Sequence, residues 1–203
     1  MKRQRPDKYI LGITGVFGSG KTTVSRMFKG SGVRIIDADK IVHDRVLRDK
    51  RIKKKIIELF GLNVSKSGGG ELDRGKISGI VFNNKESLRK LNLIIHPEVI
   101  RIIKYEIKNS RERIIILDVP LLIESGLFKM ADKIIVVSAG LKNIIHRLRR
   151  KRRILKEDVL KRRRYQLSLN RKIRMADFVI DNDGTKENTK EQVEKIRRLL
   201  WGS

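Results

Sequence analysis

Five short apolar runs, rich in β-branched residues, punctuate the chain at residues 9–13, 33–36, 114–119, 133–137 and 178–180. They are apolar throughout rather than alternating. Such runs read as strands buried on both faces of a parallel sheet. Helical periodicity fills the intervals. Residues 22–29 follow the first run almost directly. Residues 88–107 carry Leu91, Ile94, Ile95, Val99, Ile102, Ile103 and Ile107 on one face, and His96-Pro97 is expected to break that helix. Residues 141–153 and 187–201 also repeat with a helical period. Strands alternating with helices predict a doubly wound α/β domain, with its binding site at the carboxyl ends of the strands.

The second and third runs are separated by about 80 residues, far more than one crossover helix requires. The intervening residues, 42–101, are expected to form a helical subdomain of their own. They include "SKSGGGELDRG", a Gly-rich connection followed by a helix start. There is no internal repeat and no long low-complexity linker. The whole chain of 203 residues fits one domain with insertions. The pattern fixes no oligomeric state, because the last helix and its Trp201 could pack on the core or on a partner.

Composition narrows the class. There is no cysteine, which removes disulfides and thiolate metal sites. No apolar run approaches the roughly 20 residues of a membrane span. The start, "MKRQRPDKYILGITG", is basic but lacks the long apolar stretch and small-residue cleavage site of a signal peptide. A soluble, cytoplasmic protein with no membrane partner is the expectation. Lys and Arg total 49 against 23 Asp and Glu, a formal net charge of +26. That excess favours anionic partners such as nucleotides, phosphorylated cofactors or nucleic acid, without choosing among them.

The stretch "GVFGSGKT", Gly15 through Gly18, Ser19, Gly20, Lys21 and Thr22, chooses. It matches G-x-x-x-x-G-K-[ST], lies between a predicted strand and a predicted helix, and is followed by Thr23. Glycines let the backbone wrap a triphosphate with its N–H groups inward, and the helix that follows turns its positive end to the anion. Lys21 is expected to reach the β- and γ-phosphates of ATP, and the Thr22 hydroxyl to bind Mg²⁺. The motif is silent about the acceptor.

Three further features bear on chemistry. In "VRIIDADK", Asp37 and Asp39 lie just past the second strand. Either can take the proton of an attacking hydroxyl, or cap the next helix. In "IIILDVPLLIE", Asp118 ends an apolar strand, where phosphate-loop enzymes carry the carboxylate that completes the Mg²⁺ site, and Pro120 stops the strand. Residues 147–174 hold 14 Lys or Arg and only two acids, Glu157 and Asp158. Mobile arginines can stabilise a transferring phosphoryl group, although most of these cations read as a solvated helix face. Incidental RNA binding is a second account of the surplus, but Tyr165 is the one aromatic in the stretch on which a base could stack. His96, taken alone, reads as structural.

Read in order, "LGITGVFGSGKTTV", "GVRIIDADKIVH", "ELDRGKISGIVF", "HPEV", "DVPLLIESGL" and "ADFVIDNDGT" make the chain resemble the dephospho-coenzyme A kinase family over nearly its whole length. The resemblance implies a phosphate-loop kinase with five parallel strands. Its core would be residues 1–42, 101–141 and 173–203, with a helical substrate domain at 43–100 and a lid at 142–172. It implies transfer of the ATP γ-phosphoryl group to the ribose 3′-hydroxyl of dephospho-CoA, with Asp39 matching the proposed base. Arg74 and His96 match positions lining the acceptor site, so the resemblance moves His96 to the substrate side. Arg147, Arg162 and Gln166 match a recurring R…R-x-x-x-Q lid pattern. Two positions depart from the family's usual residues: Phe17, a packing position where Ile is common, and Lys151, where a second lid Arg is usual. A kinase of another nucleoside or nucleotide is the alternative reading. A nucleic-acid-binding protein that uses ATP only as a ligand is a further one, and it leaves the IDAD, LDR and HP motifs unexplained.

Overall fold

The computed structural model describes residues 8–66 and 71–202. Most of the Gly-rich connection expected before Arg74, and the basic start of the chain, lie outside the described residues. Five strands form one wholly parallel sheet: β1 (Tyr9–Gly15), β2 (Val33–Asp37), β3 (Ile114–Asp118), β4 (Lys133–Ser138) and β5 (Phe178–Asp181), in the order β2-β3-β1-β4-β5. Each expected strand is present. β1 runs two residues beyond its apolar core, because Thr14 and Gly15 pair with Val136 and Val137 of β4. In the same ladder Asp118 stands level with Asp37 of β2 and with Ile13 of β1. Two carboxylates therefore stand side by side on β2 and β3, to one side of the strand that leads into the Gly-rich loop.

The chain divides into two compact units. One comprises the residues up to Asp37 together with those from Ile107 onward, and the other is Ala38–Glu106.

The first unit contains the sheet and its flanking helices α1 (Lys21–Met27), α6 (Leu141–Arg152), α7 (Lys156–Arg164), α8 (Leu169–Ile173) and α9 (Lys186–Trp201). On one sheet face Leu11, Ile13, Ile116, Ile135, Val137 and Ile180 bury against Val24 and Phe28 of α1 and its C-cap, and Val193 and Ile196 of α9. Trp201 meets Phe28 edge-on, with ring centroids 5.9 Å apart, so the last helix closes on its own core. The alternate strand positions Ile10, Ile115, Leu117, Ile134 and Val136 are buried too. That is why the strands are apolar runs rather than alternating ones. A second cluster joins Val16, Ala139, Ile144, Leu148 and Val159, with Phe17 against it. It seats α6 and α7 on the loop after β1.

The second unit is helical: α2 (Ala38–Asp44), α3 (Lys50–Phe60), α4 (Arg74–Val81) and most of α5 (Lys85–Asn109), with one isolated antiparallel bridge between Ser65 and Leu72. Asp49 caps α3 by accepting from the amides of Arg51 and Ile52, and Asp73 caps α4 by accepting from that of Lys76. The expected break at His96-Pro97 does not occur, and α5 continues through Pro97. Proline removes the N–H that would bond the carbonyl of Leu93 and sets its ring against that carbonyl. Leu93 and Pro97 both lie on the exposed face, where water can serve that carbonyl. The buried stripe Leu91, Ile95, Val99, Ile102 and Ile103 holds the helix together across the proline.

Candidate active site

β1 delivers the chain into the loop 15–20 at the carboxyl edge of the sheet. Glycine is required at Gly15, where a Cβ would lie 2.5 Å from the Val137 carbonyl oxygen, and at two further positions. Gly20 precedes α1 at φ 93°, and a Cβ on it would lie 2.1 Å from the Asn182 amide nitrogen. Gly18 has φ 81°, and a Cβ would meet Ile144 at 2.6 Å and Leu148 at 2.7 Å. α1 starts at Lys21 with no side-chain cap and no acidic residue in its first turn. Its first amides are thus offered to an anion rather than satisfied internally. Lys21 is buried, and its carbonyl accepts from the Ser25 hydroxyl at 3.0 Å.

Asp118 is only 2 % exposed. Burial pushes its carboxyl above the ordinary carboxylate range; neighbouring Lys21 pulls it down and Asp37 pushes it up. Thr22 and Ser25 hydrogen-bond the charged form, yet the Asp118 Oδ2 is buried with no partner. A buried oxygen left over beside a Lys and a Thr hydroxyl suits a hard cation. Asp118 and Thr22 are the side-chain oxygens that would be offered to a bound Mg²⁺ here. Among the described residues no group of three or more His, Asp or Glu could hold a metal by itself.

The loop is held from behind by Asn182, whose role the sequence does not disclose, and by residues of the expected lid pattern. Asn182, just after β5, donates through Nδ2 to the Ser19 carbonyl at 2.7 Å, and its Oδ1 accepts from the Thr189 hydroxyl at 3.1 Å. Arg147 of α6 donates through Nη1 to the Asn182 carbonyl at 2.8 Å. Its Nη2 is buried without a partner, as is the Ser19 hydroxyl. A buried guanidinium N–H with nothing to bond is a group built for an anion. Gln166 accepts from the Phe17 amide at 2.8 Å, and the Arg162 guanidinium sits over the Phe17 ring, 4.9 Å from its centre. Phe17 therefore does more than pack, since α7 and the residue two beyond its end clasp both its ring and its backbone. "DVPLLIESGL" and "ADFVIDNDGT" contain Glu124 and Asn182, but neither spacing nor residue type marks them. Asn182 is marked by its contact with the loop, and Glu124 by accepting from the Leu167 amide and the buried Lys172, which only the fold supplies.

The remaining expected residues belong to the helical unit. Asp39 is exposed in the first turn of α2, two residues after Asp37 ends β2, where the helix dipole favours a carboxylate. Arg74 is exposed as the first residue of α4. His96 lies half-buried on α5, and burial lowers its pKa.

Similarity to known proteins agrees with this geometry. A dephospho-CoA kinase of Carboxydothermus hydrogenoformans is 40% identical over 196 residues, covering 95% of this chain and 95% of the relative. Among solved structures, a Thermus thermophilus protein superposes with a TM-score of 0.79 at 29% identity, over 95% of this chain and 98% of that one. A dephospho-CoA kinase from Campylobacter jejuni does so with a TM-score of 0.67 at 26% identity, over 96% and 98%. The family model described as dephospho-CoA kinase matches residues 9–188, from the start of β1 into α9 and so across the loop, Asp118 and Asn182: the chain belongs to the dephospho-CoA kinase family.

Proposed function

We propose that the protein transfers the γ-phosphoryl group of ATP to the ribose 3′-hydroxyl of dephospho-CoA, giving CoA and ADP. The reading is carried by the phosphate loop, with its buried Lys21 and the partnerless Asp118 oxygen, in a chain of this family. Gly15, Gly18, Ser19, Gly20, Lys21, Thr22 and Thr23 line the nucleotide phosphates, and the Lys21 ammonium bears on the β- and γ-phosphates. Thr22 and Asp118 hold Mg²⁺, which when bound neutralises charge on the phosphates. Asp39 accepts the proton as the 3′-oxygen forms its bond to phosphorus and the bond to the β-phosphate oxygen breaks. Arg147 meets the charge spread over the transferring oxygens, and Arg162 binds on the acceptor side. Asp37, Arg74 and His96 hold the acceptor. In this reading residues 43–100 form the CoA-binding domain, residues 142–172 form a lid that excludes water, and the enzyme works in the cytoplasm. Among the described residues no helix is long and apolar enough to cross a membrane.

The test is incubation of the folded protein with ATP, Mg²⁺ and dephospho-CoA, reading CoA and ADP by mass. A panel of nucleosides and nucleoside monophosphates runs in parallel. CoA formation with the panel silent supports the reading. Turnover of a panel member alone replaces it with a different nucleotide kinase.

A further inference from the structure

Lys172 of α8 has no exposed surface at all, yet it is a lysine. Its ammonium donates to the Glu124 carboxylate at 2.9 and 3.0 Å, to the Pro120 carbonyl at 3.0 Å and to the Thr14 hydroxyl at 3.4 Å. Thr14 in turn donates to the same Pro120 carbonyl at 3.0 Å. Glu124 accepts from the Leu167 amide at 2.9 Å. Burial lowers the Lys172 pKa, Glu124 raises it, and Lys21 lies near enough to lower it further. The ammonium thus sits behind the phosphate loop, out of reach of solvent.

A buried ion pair is poor evidence of a device for stability, because an apolar pair of similar volume often serves as well or better. What this pair supplies is geometry. Thr14 is the last residue before the loop. Pro120 is two residues past Asp118. Leu167 follows Gln166, whose side chain accepts from the loop amide of Phe17. One ammonium and one carboxylate therefore tie together the base of the loop, the turn beyond the metal-side carboxylate, and the exit of the basic helical segment. Each contact is made by a charged group with its hydrogen bonds satisfied, the arrangement that rigidifies a buried network.

We infer that Lys172 and Glu124 are a positioning pair for phosphoryl transfer, holding the phosphate loop, the Asp118 turn and the basic segment in one register. The inference rests on the kinase reading above. Neither residue touches substrate, and both act through the loop and Asp118.

The experiment compares Lys172→Met, Glu124→Leu, the double variant, and the near-isosteric Glu124→Gln in the full-length protein. Each single apolar change strands a charge and lowers Tm. The double variant recovers Tm, but its kcat stays roughly 30- to 100-fold below the parent, the scale expected from an ångström-level misplacement. KM for dephospho-CoA stays within about twofold, because that side of the reaction is untouched. Glu124→Gln keeps the side chain's shape but leaves the Lys172 ammonium uncompensated, so it lowers Tm as well and lowers kcat about 10-fold. A double variant, or a folded Glu124→Gln, with kcat within about threefold of the parent overturns the inference. Amide hydrogen exchange of residues 15–20 and calorimetric ATP affinity give a readout independent of the acceptor. If the parent makes no CoA, the kinase reading fails. The pair then stands on faster loop exchange and weaker ATP binding in the same variants, and it falls if both match the parent.

Discussion

The Asn182 side chain donates to the carbonyl of Ser19 at 2.7 Å, fastening the middle of the phosphate loop to the turn after β5. The same amide leaves no room for a side chain at Gly20. Loop and anchor are therefore fitted to each other. Replacing Asn182 with Ala strands the Ser19 carbonyl, while the Thr189 hydroxyl keeps the Thr185 carbonyl as its acceptor. Stability is expected to fall by about 1–3 kcal/mol, and ATP affinity to fall with it. Asn182→Asp is more harmful to ATP binding, because a carboxylate cannot donate to Ser19 and adds negative charge behind the phosphates. Thermal melts and ATP titration by calorimetry check both. Parent-like ATP affinity in either variant removes Asn182 from the site.

Asp118 is stable in the fold only under constraint. Its native pKa is raised by burial, so the folded protein binds this proton more tightly than the unfolded chain. Stability contributed by the group is then present at low pH and declines as pH rises from the unfolded carboxyl value through the raised native one. Asp118→Asn removes the buried charge. It should raise Tm at neutral pH while cutting kcat by orders of magnitude, the trade expected of a residue kept for chemistry. A variant less stable at neutral pH contradicts the assignment.

The two aspartates after β2 separate by kinetics. Asp39→Asn should lower kcat by about 10²–10⁴-fold and leave ATP affinity near the parent value, as loss of a general base does. Asp37→Asn should act mainly through KM for the acceptor. If the two effects are exchanged, Asp37 is the base. Steady-state rates with ATP and dephospho-CoA varied in turn decide between them.

What could be read from the sequence follows from what kind of signal each feature carries. The strands were legible because both sheet faces are buried, so Ile115 and Ile116 are equally apolar and the run is continuous. The loop was legible because phosphate wrapping demands glycines at fixed spacing. α7 was not, since eight of its nine residues avoid burial and Val159 alone marks its inner face. Pro97 misled, because the lost hydrogen bond and the crowded Leu93 carbonyl fall on the exposed face, while the buried stripe runs on unbroken. Lys172 read as one more cation in a basic stretch. Its burial is a property of the fold, produced by α8 turning that one side chain inward onto Glu124 and Pro120.

His96 gives the helical unit a pH signature. Burial lowers its pKa below the ordinary 6.5. The unfolded chain therefore takes up the proton first as pH falls. Stability linked to neutral His96 is whole above about pH 6.5 and drains as pH drops toward the lower native value. His96→Gln should flatten that part of the Tm-against-pH curve between about pH 7 and 5. If His96 also holds the acceptor, the variant raises KM for dephospho-CoA and leaves that for ATP unchanged. Parallel Tm curves for parent and variant contradict the burial of the imidazole.

The structure gives the Phe17 ring a partner in the Arg162 guanidinium, 4.9 Å from its centre. A guanidinium over an aromatic face still presents N–H groups at its edge, so the stack can hold Arg162 ready without consuming its donors. Phe17→Ile removes an attraction of about 0.5–1 kcal/mol, equivalent to roughly two- to fivefold, and should lower kcat/KM by that factor. Arg162→Lys loses the planar fork as well as the stack, so it should lower kcat/KM further, by about 10-fold or more. The two changes share one contact, so their combination should be less than additive. The double-mutant cycle, measured on kcat/KM, reads that coupling directly. A higher kcat/KM in Phe17→Ile would mean instead that the ring restrains Arg162 from its phosphate, and that Ile at this position makes the faster enzyme.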